Sequence, residues 1–386
     1  MKMTTGAAAR SMVATRSATR SLVGFATLAA MVAPTTRARA DGEEVARPRT
    51  YPLVLLVQTD AVVDSTPAGA GPAAGDDPLP GSAARLRRLR VGEDTSSGDL
   101  RARVTLEATN RDRPFTPVEG DRIPVGGPVR LTEAFAAWTP HRAFSVAAGA
   151  QRVPFSLSRQ VDEADLRLPE RAQILAALAP DYRAGVSVTS DLGLLNLRVA
   201  GMSADRSLDG RLLTSGTFGA LRLGADPIGP MGVTPWRRRT NDPWYGWWRF
   251  SAGMSLVYGT LLEPRTLALG GDAQLQWRRV TVTGEYLGEH LGAGSGRWGH
   301  QGAVVEPGVY LARERIELVL RGAWYHQPAA VTATPDATDT FAAGAGLTFF
   351  GYANHVRLQA ALELRRTRDA LLPDSDWAII RASFLL

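Results

Sequence analysis

The stretch WRRVTVTGEYLGEH, residues 277–290, alternates in chemistry with a period of two: Val280, Val282, Gly284 and Tyr286 share one face, and Thr281, Thr283 and Glu285 share the other. Successive side chains of a β-strand point to opposite faces, so this period specifies a strand with one apolar and one polar side. The pattern recurs. VRLQAALEL sets Val356, Leu358, Ala360, Leu362 and Leu364 against Arg357, Gln359, Ala361, Glu363 and Arg365. RIELVLRGAWY separates Ile316, Leu318, Leu320 and Trp324 from Glu317, Arg321 and Tyr325, and GDLRARVTLEAT separates Leu100, Ala102, Val104 and Leu106 from Arg101, Arg103, Thr105 and Glu107. Many such segments of about ten residues, split by turn-forming residues, restrict the chain to an all-β sandwich or barrel.

The pattern predicts sixteen strands: 51–62, 84–94, 98–110, 130–139, 142–152, 182–190, 192–202, 215–225, 246–259, 266–277, 279–289, 301–312, 315–326, 339–350, 354–366 and 375–385. The connections carry a second signal. After even-numbered strands they are mostly short (TPHR, SDLG, ARER, GYAN), and after odd-numbered ones mostly long (63–83, 111–129, 153–181, 203–214, 290–300, 327–338). Short turns on one rim and long loops on the other form the pattern of outer-membrane barrels, periplasmic against extracellular. Two connections break it, 226–245 and 260–265, which points to a misplaced strand nearby. A tilted strand crosses a bilayer in roughly 9–11 residues. Closure would satisfy every backbone donor without water. The polar face would then look into a water-filled lumen. DPWYGWWRF, with Trp244, Tyr245, Trp247 and Trp248, and Trp277, Trp324, Phe349 and Trp377 near other strand ends, suit interfacial aromatic girdles.

The first 40 residues have the layout of an export signal: Lys2, Arg10, Arg16 and Arg20, then the apolar SLVGFATLAAMVA (21–33), then ARA at 38–40 before Asp41. They also carry Arg37 and Arg39 and no acid. Of the 44 positive residues, 38 lie beyond residue 40, matching 38 acids, so the high pI does not indicate nucleic-acid binding. Lys2 is the only lysine, which leaves a mature chain whose side-chain cations, histidine aside, are all arginines. Cysteine is absent, which removes disulfides, thiolate metal sites and cysteine nucleophiles. The expected organisation is a signal peptide (1–40) and one barrel domain (41–386). Residues 41–83 supply the first strand and first extracellular loop, and 84–386 the remainder.

Several segments beyond residue 84 resemble a known family. These are ARLRRLRVGEDTSSGDLRARVTLEA, TEAFAAWTPHRAFSVAAGAQRVPFSLSRQ with Gly149, Gln151, Pro154, Phe155 and Ser156, LPERAQILAALAPDYRAGVSVTSDLG with Glu170, Arg171, Arg183 and Gly185, then GEYLGEH and IIRASF. They resemble the phosphate-selective porins O and P. The resemblance implies a sixteen-stranded transmembrane antiparallel β-barrel in the outer membrane of a Gram-negative bacterium. It implies a homotrimer in lipid and an inward-folded constriction loop after the fifth strand. Family members that prefer phosphate use lysine as well as arginine along the pore, and the lysine part does not transfer here.

On this reading the constriction loop is 153–181, with the charge set Arg159, Asp162, Glu163, Asp165, Arg167, Glu170 and Arg171, and ERAQILAALA (170–179) as a short helix. Opposed charges across a narrow pore set up a transverse field that tunes selectivity. The inward candidates on the wall are Arg101, Arg103, Arg198, Arg222, Arg249, Arg278, Arg321, Arg357 and Arg381, with Glu107, Asp272, Glu285, Glu306, Glu317 and Glu363. The excess of arginine favours anions, since the guanidinium binds carboxylate and phosphate in bidentate fashion. The expectation is a porin passing small hydrophilic solutes, anionic or neutral, with a mild anion preference that includes phosphate, and with no cofactor, metal or nucleic-acid partner. Two alternatives stay open: a non-conducting barrel acting as scaffold or receptor, and an outer-membrane enzyme. Against the second, the five histidines (His141, His290, His300, His326, His355) form no H-E-x-x-H, and no G-x-S-x-G occurs.

Overall fold

The computed structural model describes residues 53–64, 81–109, 129–141, 143–162, 165–172, 178–204, 216–228, 247–259, 266–291, 298–311, 315–327, 338–351, 356–367 and 375–385. The expected signal peptide therefore lies outside the described residues, as do Trp244, Tyr245 and Glu163. The strands are β1 (Leu53–Asp64), β2 (Gly81–Ser97), β3 (Leu100–Thr109), β4 (Val129–His141), β5 (Phe144–Arg152), β6 (Tyr182–Asp191), β7 (Leu195–Ser203) and β8 (Thr217–Ile228). They continue with β9 (Trp248–Gly259), β10 (Thr266–Trp277), β11 (Val280–Leu291), β12 (Trp298–Leu311), β13 (Ile316–Gln327), β14 (Thr338–Gly351), β15 (Val356–Thr367) and β16 (Ser375–Leu385).

Each strand pairs antiparallel with its sequence neighbours, and β1 pairs with β16, so the sheet closes. Closure leaves no strand edge, the condition for crossing a bilayer with β-structure. Among the described residues no helix is long and apolar enough to cross. The seam is cross-linked by side chains: Asp60 and Arg381 are opposite residues of β1 and β16, and the guanidinium donates to both carboxylate oxygens at 2.6 and 2.7 Å.

Burial shows which face looks where. On β15, Leu358, Leu362 and Leu364 are 48%, 50% and 40% exposed, while Arg357, Gln359 and Glu363 are 3%, 2% and 4% exposed. A soluble protein would have this the other way round. The outside is apolar and the inside is charged, which fits a barrel immersed in lipid. Exposed aromatics gather at both strand ends. Trp138, Phe144, Trp248, Trp277, Phe349 and Phe384 lie toward the short-turn rim, and Tyr258 and Phe341 toward the other. Trp248 and Trp277 stack at 5.2 Å. Ten residues of β9 separate Trp248 from Tyr258, which at about 3.3 Å per residue and a tilt near 40° is a band about 25 Å tall.

All sixteen expected strands are present, with ends moved by up to three residues. The two connections that break the rim pattern do not signal a misplaced strand. β8 ends at Ile228 and β9 begins at Trp248, both within three residues of where the pattern placed them. Two bulges re-aim side chains. Arg87 is the extra residue where β2 slips against Gln58 and Thr59 of β1, so both Arg87 and Arg88 are buried. Thr132 is the extra residue on β4, so Thr132 and Glu133 are both buried. A bulge breaks strict alternation in this way.

Candidate functional site

The segment after β5 leaves the wall and runs through the lumen before β6. Its two ends are clasped, with the Val153 amide donating to the Asp181 carbonyl at 3.2 Å. Ser156, at φ 68°, caps a single helical turn, α1 (Leu157–Gln160), by accepting from the Arg159 amide. That backbone angle is costly for a residue with a side chain, and the cap at the start of the turn offsets it. Val153, Phe155, Ser156 and Val161 are 0–2% exposed, and Leu166, Arg167 and Leu168 are also buried. Half of the expected helix at 170–179, residues 173–177, lies outside the described residues; Leu178 is helical, and Glu170, Arg171 and Ala172 are irregular.

Charged contacts hold this loop to the wall. Asp162 accepts from Arg90 of β2 at 2.9 Å and from Arg152 of β5 at 2.8 Å. Glu170 accepts from Arg87 at 3.1 Å and from Arg381 at 2.6 Å, and Arg381 also donates to the Pro169 carbonyl. Arg167 reaches Glu317 of β13 at 2.8 Å, the Glu306 carbonyl at 2.9 Å and the Thr281 hydroxyl at 2.6 Å. Arg321 donates to the Glu170 carbonyl at 2.7 Å and pairs with Glu306 and Glu363 at 2.7 and 3.2 Å. Asp165 lies 3.7 Å from Arg357, which bonds the Leu166 carbonyl at 2.9 Å. Gln359 bonds the carbonyls of Leu166 and Arg167, and Thr348 also bonds that of Arg167. Glu285 of β11 accepts from the Ser158 amide and hydroxyl at 3.2 and 2.7 Å. Arg159 faces Asp181 at 3.8 Å, and Arg171 donates to the carbonyls of Ser158 and Val161 within the loop.

The opposite side of the loop is apolar. Val153, Phe155, Leu178 and Ala179 join Ala200 and Met202 (β7), Phe218 and Ala220 (β8), Val257 (β9), Ala268 (β10), Leu287 (β11) and Val304 (β12) in one buried cluster.

The remaining expected wall residues sort by depth. Glu107 accepts from Arg90 at 2.7 Å and lies 3.4 Å from Arg88. Arg103 pairs with Glu133 at 2.8 Å. Arg222 holds Asp272 in bidentate fashion at 2.6 and 2.9 Å. Arg249 is buried on β9. Arg198 donates to the amide oxygens of Gln160 and Gln151 at 3.1 and 3.2 Å. Arg101 lies at the rim with its side chain 48% exposed, paired with Asp94 at 2.5 Å. Arg278 is a correction: it sits in the two-residue turn between β10 and β11 with φ 49°, its guanidinium over the Trp277 ring, and is not part of the wall. A hairpin this tight needs a positive φ, and residue 278 supplies it.

Sequence reading left Asp60, Arg87, Arg88, Arg90, Glu133 and Arg152 out of the inward set, though they join the network. The run RLRRLR already had the inward spacing for Arg88 and Arg90, but the bulge that turns Arg87 inward leaves no local mark. It also missed Gly308. A Cβ there would lie 1.7 Å from a guanidinium nitrogen of Arg167, so glycine makes the niche in which that side chain reaches Glu317.

A closed barrel that is apolar outside and charged inside, with the loop after the fifth strand folded through its lumen, defines a porin-type β-barrel. The setting of such a barrel is the outer membrane of a Gram-negative bacterium. The chain belongs to the phosphate-selective porin O and P family, whose model it matches over residues 81–317. Solved structures share the fold. A loop-deletion mutant of OmpT from Vibrio cholerae is 10% identical at a TM-score of 0.56, covering 86% of this chain and 98% of that one. The outer-membrane channel DcaP of Acinetobacter baumannii is 12% identical at 0.52, covering 86% and 96%. An in-vitro folded, trimeric form of V. cholerae OmpT is 10% identical at 0.52, covering 86% and 98%. No curated protein matches the chain. Membership in a porin family sets the enzyme alternative aside.

Proposed function

We propose that the barrel is a passive diffusion channel for small hydrophilic solutes, mildly selective for anions, phosphate among them, with the 153–181 loop as its constriction. The observation that carries this reading is the loop itself. It is tied by side chains to strands on several sides of the lumen, so it narrows the passage where the arginines are densest. A field acts most strongly where a pore is narrow and poor in water. Arg198 supports the anion preference: its partners among the described residues are amide oxygens, which leave its charge uncompensated by a carboxylate.

Single-channel recording in a planar bilayer tests the proposal. Deleting 160–172 raises conductance and weakens selectivity while the barrel still folds. Arg198→Glu shifts the reversal potential in a salt gradient toward cations. A native protein with no conductance would return the barrel to a scaffold or receptor role. We also propose a homotrimer. The trimeric form of the V. cholerae relative and the small outward residues Ala136 and Ala148, both exposed, support it, because small side chains allow close packing in lipid. Native mass measurement of the wild type and of Ala148→Trp checks this: a trimer that weakens in the variant is expected.

A further inference from the structure

Near the long-loop end of β11–β13, the inward side chains form a group unlike the rest of the charged wall. Glu289 of β11 is 2% exposed and lies 3.1 Å from Nδ1 of His300 on β12. The His300 ring stacks on Tyr325 of β13, with ring centroids 6.0 Å apart. Ala268 of β10 stands opposite Glu289, and Thr340 of β14 stands opposite Tyr325. Tyr325 and Ala268 belong to the apolar cluster that seats the loop, to which the loop gives Ala172, Leu178 and Ala179. Tyr325 is the one further titratable group among these neighbours, and a phenol stays neutral throughout the physiological range.

Asp60, Glu107, Glu317 and Glu363, also buried on the inner wall, are held by the guanidinium groups of Arg381, Arg90, Arg167 and Arg321. Arginine keeps its charge, so those pairs are fixed. Glu289 has a histidine in that place, and an imidazole ordinarily changes charge at about pH 6.5. With the imidazole protonated, the pair as a whole is neutral. Removing that proton leaves one net negative charge, whichever of the two groups had held it. Beside an apolar cluster such a charge is screened less than one in open water. We infer that the His300–Glu289 pair makes the ion preference of the channel depend on pH. Anions are favoured while the pair is neutral, and the preference falls as pH rises and the pair turns negative. This rests on the diffusion-channel reading above and adds a control on its selectivity.

The test is the reversal potential of the whole protein in a planar bilayer under a potassium chloride gradient, at about pH 5.5 and about pH 8.5, either side of the ordinary imidazole range. In native protein the chloride-to-potassium permeability ratio falls roughly fourfold between the two. A unit charge about 10 Å from a passing ion in water changes the level of each ion roughly twofold, in opposite senses. His300→Arg holds the pair neutral throughout, so the ratio stays near its acid value at both. Should that variant fail to fold, Glu289→Gln combined with His300→Gln removes both titrating groups at nearly the same volume and also gives a flat ratio. His326 pairs with Asp339 on the lipid-facing side of β13 and β14, so His326→Gln keeps the native fall. A native ratio equal at the two pH values, or a fall that survives in both His300→Arg and the double variant, overturns the inference and leaves the channel reading standing. Bilayers with no conductance at either pH overturn the channel reading and the inference with it.

Discussion

The loop meets two different walls. Toward β7–β12 it presents Val153, Phe155, Leu178 and Ala179 to Ala200, Met202, Phe218, Ala220, Val257 and Leu287. Toward β13–β16 and β1–β2 it is held by Arg167, Asp162 and Glu170 against Glu317, Arg90, Arg87 and Arg381, with only small apolar clusters around Leu166 and Leu168. The contrast separates two jobs. Apolar burial is non-directional and tolerates small shifts, so the first wall supplies adhesion. Bidentate guanidinium–carboxylate pairs require one geometry, so the second sets where the loop stops. Buried pairs add little net stability over a well-packed apolar substitute, yet removing one partner is expensive. Substitutions on the two walls should therefore differ in kind.

The largest effect is expected at Arg381. Replacing it with Met leaves Asp60 and Glu170 with Arg87 as their shared cation, at 3.8 and 3.1 Å, a loss of about 3–5 kcal/mol by analogy with broken buried pairs. Urea unfolding of the barrel reads the loss, and conductance rises as the loop loosens. Stability within error of wild type would mean that the ionic wall does not hold the loop. Next comes Gly308→Ala. It pushes the Arg167 guanidinium out of its niche, at about 1–3 kcal/mol for overpacking. A crystal structure would show Arg167 parted from Glu317, and an unmoved Arg167 would contradict the niche. Phe155→Leu keeps the apolar wall covered and should cost about 1 kcal/mol, with selectivity in a salt gradient unchanged; a selectivity shift would show that the apolar wall also positions the loop. Arg101→Ala touches neither wall. Its pair with Asp94 is half exposed, and such pairs contribute between nothing and about 1 kcal/mol, so unfolding midpoint and conductance both stay at wild-type values.

The same contrast explains where sequence reading was easy and where it was not. β15 is legible at a glance, because inward Arg357, Gln359 and Glu363 alternate with outward Leu358, Leu362 and Leu364. β7–β9 are harder. There the inward Met202, Phe218, Ala220 and Val257 are as apolar as the outward Val199, Leu221, Leu223 and Leu256, so alternation fades. They are apolar because the loop covers them, a fact about residues distant in the chain. Segment lengths still located every strand there, even though rim parity broke at 226–245 and 260–265 and suggested an error.

By itself, then, the sequence determined the barrel, its strand count and its lipid-facing side. All of these follow from period-two patterning and turn spacing, which are local properties of the chain. Only the tertiary structure decided which charges meet. The pairing of Asp60 with Arg381 joins residues 321 positions apart, Arg87 turns inward through a bulge, and Gly308 matters because Arg167 arrives from another segment. Closing the sheet brings these groups together, and no local pattern records which partner will stand across the lumen.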